Sequence, residues 1–128
     1  MANNGSLCDR FSTIIGGQAG FAGGKCVSTI NRDQIRATIL GKRFRATSSF
    51  SFESLNHKTG KALCVGRAVF LQKEVNTFIS AIRNQGIKVT SVRNEWLFEQ
   101  PRLIYINIEA VENPLCFARK VRKALDAI

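Results

Sequence analysis

The sequence predicts an α+β fold, a mostly antiparallel sheet with helices packed on one face and a ferredoxin-like β-α-β-β-α second half. Three observations carry this. The run RLIYINIEA alternates Ile104, Ile106 and Ile108 against Tyr105, Asn107 and Glu109, the pattern of a strand with one packed and one polar face. The run ALCVGRAVFL is apolar on both faces apart from Arg67, as a central strand requires. Between and after these lie two stretches with helical spacing of apolar residues. With 128 residues, 45% of them hydrophobic, the chain can close a core as a single domain over residues 1–128.

Taken in order, Ser6 is placed to cap a helix ending at Ile15, with Leu7, Phe11, Ile14 and Ile15 on one face and Gly16 and Gly17 to stop it. The following GGQAGFAGGK fails as a phosphate loop. A glycine is missing where Ala19 stands, and Cys26 replaces the hydroxyl residue after Lys25, so the stretch reads as a glycine-rich turn. Residues 25–52 read as strands: KCVSTI, then QIRATIL, a turn at Gly41 and Lys42, and a continuous RFRATSSFSF. A loop from Glu53 to Lys61 precedes the central strand.

A helix from Lys73 to Gln85 follows, with Val75, Phe78, Ile79 and Ile82 as its buried stripe and Gly86 at its left-handed end. The strand IKVTSVRNE comes next. Period two places Ile87, Val89, Ser91, Arg93 and Glu95 on one face, so an apolar row gives way to an ion-forming pair. Asn113 then caps a final helix that begins at Pro114, with Leu115, Ala118, Val121, Leu125 and Ile128 inside and Arg119, Lys120, Arg122 and Lys123 outside.

The connector RNEWLFEQPR is the candidate site. Connectors between strands are usually built of Gly, Asn, Asp or Pro, whereas this one carries two carboxylates, two guanidiniums, a Trp and a Phe. Pairing residues 93 to 95 with 105 to 109 would gather Arg93, Glu95, Tyr105 and Asn107, with Asn94 beside them, Glu99 and Arg102 at the rim and Trp96 or Phe98 as a wall. Such a mixture of groups suits a small polar ligand or a protein partner. A hydrolase-like use of Glu95 and Glu99 as acid and base is the alternative. Trp96 and Phe98 could instead serve a homodimer interface.

Nineteen Lys and Arg against nine Asp and Glu give a formal charge of +10, which favours polyanions at low salt. Nonspecific nucleic-acid binding would use Arg36, Lys42, Arg43 and Arg45 with the last helix, though aromatic stacking platforms are almost absent there. Cys8, Cys26, Cys64 and Cys116 are far apart and His57 is the single histidine, so zinc spacing is lacking and no metal or cofactor is expected. The cysteines read as reduced, mostly buried thiols. The N-terminus MANNGSLCDRF lacks the features of a signal peptide and no apolar run approaches a bilayer span, so a cytoplasmic protein without membrane contact is expected.

The run EVNTFISAIRNQGIKVTSVRNEWLFEQPRLIYINIEAVENPLCFARKVRKAL resembles the LppY/LpqO family, a bacterial domain of unknown function, and ALCVGRAVFLQK resembles the strand before it. That family's pattern has Glu-Val-Asn-Pro opening a helix, Gly-Ile-x-Val-Thr-x-x-His-Asn-His, a Glu-x-Pro-Arg turn, a strand ending in His and a Pro-led final helix. Glu74, Val75, Asn76, Gly86, Asn94, Glu99, Pro101, Arg102 and Tyr105 follow it. Arg93-Asn94-Glu95 stands where the family has His-Asn-His, and Asn107 where a His ends the next strand. The resemblance implies metal binding or proton transfer through the family's histidines, and here most of those imidazoles are replaced.

Overall fold

The two runs with the clearest strand character pair with each other along their full lengths. In the computed structural model, which describes residues 4–128, strands β6 (Lys61–Leu71) and β9 (Leu103–Glu112) are antiparallel from Ala62 opposite Glu112 to Leu71 opposite Leu103. The first three residues of the N-terminal stretch lie outside the described residues. Around this pair runs a six-stranded sheet in the order β1 (Gln18–Ala22), β2 (Lys25–Asn31), β5 (Thr47–Asn56), β6, β9, β7 (Lys88–Asn94). Both β6 and β7 are antiparallel to β9, so they are parallel to each other with β9 inserted between them. This is the split β-α-β arrangement of a ferredoxin-like sheet, and β5, from the first half, takes the remaining place beside β6.

Helices α1 (Asn4–Ile15), α2 (Val75–Arg83) and α3 (Pro114–Asp126) cover one face. Phe11 joins three elements: its ring meets Phe52 of β5 edge-on at 5.0 Å and stacks on Phe117 of α3 at 6.4 Å. Phe70 and Phe78 pack at 4.4 Å beneath α2. Gly66 sits in register with both Phe50 and Ile108, and a Cβ there would lie 2.6 Å from the Phe50 ring, so this row closes only around glycine. Asn113 caps α3 as its sequence predicts, accepting from the amides of Leu115 and Cys116 at 2.9 and 3.2 Å. Gly86 ends the α2 region at φ +81°, also as expected.

The other face is half covered by a second, small sheet of β3 (Ala37–Ile39), β4 (Lys42–Phe44) and β8 (Glu99–Gln100) in the order β4-β3-β8. Ile35, Ala37, Ala46, Val69, Leu103 and Tyr105 form the apolar layer beneath it. The run RFRATSSFSF is therefore two strands in different sheets, broken at Arg45 and Ala46, and not one. Its alternation continues across the break, which is why period alone does not reveal it. QIRATIL likewise contributes only Ala37–Ile39, and the glycine-rich stretch contains β1, an edge strand whose residues are all exposed. Other boundaries shift modestly. Helix α1 begins ahead of Ser6, β5 extends to Asn56, and the predicted second helix starts as a 3-10 turn at Gln72–Glu74.

One correction concerns chemistry. Cys8 and Cys26 form a disulfide with Cα atoms 5.5 Å apart, while Cys64 and Cys116 remain thiols. A separation of 18 residues says nothing about pairing until α1 is docked on β2. Ser12 on the same helix face bonds Ser28 at 2.7 Å, so the link reinforces a contact already polar and buried. Alkylation of the unfolded protein without reductant should then label two cysteines. Cys26→Ser should lower stability by about 2–4 kcal/mol, read from urea unfolding. Labelling of all four would remove the covalent link. Burial, with Glu112 nearby, pushes the Cys64 thiol up to about 12, so it is not a nucleophile near neutral pH.

Candidate functional site

Arg93 reaches the polar face through an irregularity in β7. Val89 pairs with Ile108 on the helix side, yet the next paired residue is Ser91, opposite Asn107 on the other side. Thr90 is the extra residue of a β-bulge, and one added residue moves all that follow to the opposite face. The face expected to run unbroken from Ile87 to Glu95 is thus two faces. The bulge carries Ser91 and Arg93 from the core side to the side of Tyr105 and Asn107, which removes the problem of a guanidinium in an apolar row.

On that side the registers line up Ser49, Arg67, Asn107 and Ser91 across β5, β6, β9 and β7. Arg67 lies over the Tyr105 ring at 4.3 Å and bonds Glu95 Oε2. Arg93 bonds Glu95 Oε1 at 3.1 Å, Asn107 Oδ1 at 3.1 Å and Ser91 Oγ at 2.8 Å. Tyr105 is buried, and its hydroxyl accepts from Trp96 Nε1 at 2.9 Å, so it forms a wall with Trp96 and Phe44. The hydrogen bond from Arg67, opposed by burial and helped by Arg93, holds the Glu95 carboxyl below the usual carboxylate range. Next to this cluster is a recess of about 210 Å³ lined by Lys25, Ser49, Ser51, Arg67, Asn107 and Glu109 among others.

Of the residues singled out from sequence, Arg93, Glu95, Tyr105 and Asn107 come together. Asn94 does not. It pairs with Ile104 toward the helix side and accepts from the Trp96 amide at 3.3 Å. Glu99 belongs to β8 opposite Ile39, with Oε2 buried and without a hydrogen-bond partner. Arg102 is exposed and makes no ion pair among the described residues. Phe98 is 76% exposed beside Leu97 and Leu40, so of the two connector aromatics only Trp96 joins the wall. The residue that sequence reasoning passed over is Arg67. Its signal was present, as the lone charge in a central strand, but nothing in the chain tells which face of that strand stays open.

The charged groups of the site do not suit a cation. Both Glu95 oxygens are engaged by guanidiniums, and two positive charges adjoin them. Among the described residues no group of three or more His, Cys, Asp and Glu is placed to hold a metal ion. His57 lies in the exposed turn after β5. The metal that the sequence resemblance implies does not fit this cluster.

The basic runs are partly matched by carboxylates. On α3, Lys120 pairs with Glu112 at 2.7 Å and Arg122 with Asp126 at 2.7 Å, while Arg45 pairs with Asp33 at 3.2 Å near β4.

Compared with protein families, residues 9–127 match the family described as Domain of Unknown Function (DUF1259). The chain belongs to that family. No curated protein and no solved structure matches it. The DUF1259 match takes in all of the site, from Lys25 through Glu109, and all three helices apart from the first residues of α1 and the last residue of the chain. No helix among the described residues is long and apolar enough to cross a membrane.

Proposed function

We propose that this DUF1259 domain binds a small polar anion on the open half of its sheet and performs no catalysis there. The observation that supports this reading is Arg67, whose side chain is 40% exposed at the centre of the sheet with Ser49 and Asn107 in the adjoining strands. Glu95 engages one of its terminal nitrogens and Arg67 also lines the recess, so its remaining N–H groups are available to a carboxylate or phosphate. A ligand carrying one such group and hydroxyls would meet guanidinium, amide and hydroxyl partners together.

The hydrolase-like alternative is disfavoured by the same geometry. A carboxylate held ionised by two guanidiniums is a poor proton donor near neutral pH, and Glu99 is tied into another sheet. The resemblance to the LppY/LpqO family supports a site at these positions, with Arg93, Glu95 and Asn107 standing in for histidines. The disulfide favours an oxidising compartment over the cytoplasm, since such bonds rarely persist among cytosolic thiols.

A thermal-shift screen of small carboxylates and sugar phosphates tests the proposal. At least one should raise the melting temperature of the wild type, Arg67→Gln should abolish that rise, and Glu95→Gln should enlarge it by removing the internal competitor. A rise that is the same in Arg67→Gln would sink the reading.

A further inference from the structure

A second cavity, of about 620 Å³, lies at one end of the large sheet and shares no lining residue with the recess beside Arg67. It opens between the last turn of α3, Gly16 at the end of α1, the segment after β2 and the 3-10 turn after β6. Its volume falls within the roughly 300–1,000 Å³ of small-molecule sites. Ile35, Phe70, Leu71 and Leu125 supply apolar surface in a lining that is otherwise largely charged and polar.

Its charges are unbalanced. Arg32 is matched by Glu74 and Arg122 by Asp126. Arg36 and Lys73 also line the cavity, are exposed, and make no ion pair or side-chain hydrogen bond among the described residues. Glu74, the one carboxylate side chain in the lining among the described residues, is already engaged by Arg32 and by the Leu71 amide. A cation entering here meets two positive charges that lack a direct carboxylate partner, and a neutral apolar molecule leaves them unused.

We propose that this cavity is a binding site for a small amphipathic carboxylate, with its anionic head between Arg36 and Lys73 and its apolar body on Ile35, Phe70, Leu71 and Leu125. Head and tail recognition are separable, which makes the site testable with simple probes. Octanoate supplies both parts, and 1-octanol supplies the tail alone.

The experiment is a titration followed by amide chemical shifts in the full chain. Octanoate should perturb amides around Ile35, Leu71 and Leu125, and 1-octanol should bind at least roughly tenfold more weakly, the worth of about one charge-assisted contact. Arg36→Gln and Lys73→Gln should each weaken octanoate by roughly tenfold. Both side chains are exposed and unpaired, so the variants should keep the wild-type urea midpoint, and lost affinity then reports lost recognition. Equal affinity for octanol, unchanged binding in both variants, no perturbation at the cavity, or perturbation confined to Arg67 and Asn107 would each overturn the assignment. The last outcome would instead place the anion at the sheet-face site, so failure here and failure of the proposed function are read separately.

Discussion

Replacing Phe11 with alanine should lower the free energy of unfolding by about 3–5 kcal/mol, seen as a fall in the urea midpoint at nearly constant slope. The size follows from where the ring sits. It is fully buried between a strand and two helices, touching Phe52 and Phe117, and neither neighbour can move into the space without leaving its own layer. The disulfide beside it keeps α1 near the sheet, so the helix cannot relax by drifting away. A loss below about 1 kcal/mol would mean that α1 is not docked in this way.

The second large effect is at Glu74. Its carboxylate takes two bonds from Arg32, at 2.7 and 3.0 Å, and one from the Leu71 amide at 2.8 Å. Both side chains are nearly enclosed, 11% and 13% exposed, and Arg32 also donates to the Val69 carbonyl at 3.1 Å. Glu74→Ala leaves a guanidinium buried without its partner and should cost about 3–5 kcal/mol. Removing both ends, with Arg32→Met and Glu74→Leu, should recover much of that loss, because the pair's desolvation nearly offsets its attraction.

The same pair fixes a pH dependence. Burial by itself raises the Glu74 carboxyl, but the Arg32 and Leu71 hydrogen bonds outweigh it and leave the group below its ordinary value of 4.5. A depressed value in the folded state means that the contribution is complete above the unfolded value and is lost as pH falls through the folded one. Glu95 acts in the same direction. The stability difference between wild type and Glu74→Gln should therefore be constant near neutral pH and shrink below about pH 4.5. A difference that grows on acidification would contradict the assignment.

Much of the candidate site was legible before the fold was known. The odd composition of RNEWLFEQPR and the polar row of Tyr105 and Asn107 led to four residues that do converge. Asn94, Glu99 and Arg102 were drawn in by nearness along the chain, yet Asn94 lies toward the helix side, Glu99 in the small sheet and Arg102 in the exposed turn between β8 and β9. Arg67, thirty-eight positions before Tyr105, enters because β6 and β9 are neighbours. The bulge at Thr90 was invisible, since one extra residue leaves composition and apparent alternation unchanged.

What the sequence determined by itself was local: strands where apolar residues alternate, helices where they recur at helical spacing, the Asn113 cap and the Gly86 end. These depend on residues within a few positions, where backbone sterics and side-chain periodicity act directly. Tertiary structure decided which strands share a sheet, that Cys8 meets Cys26, which half of the outer face a small sheet covers, and where two cationic recesses remain open. Those outcomes depend on distances between residues remote in sequence, and such distances exist only once the chain has closed on its core.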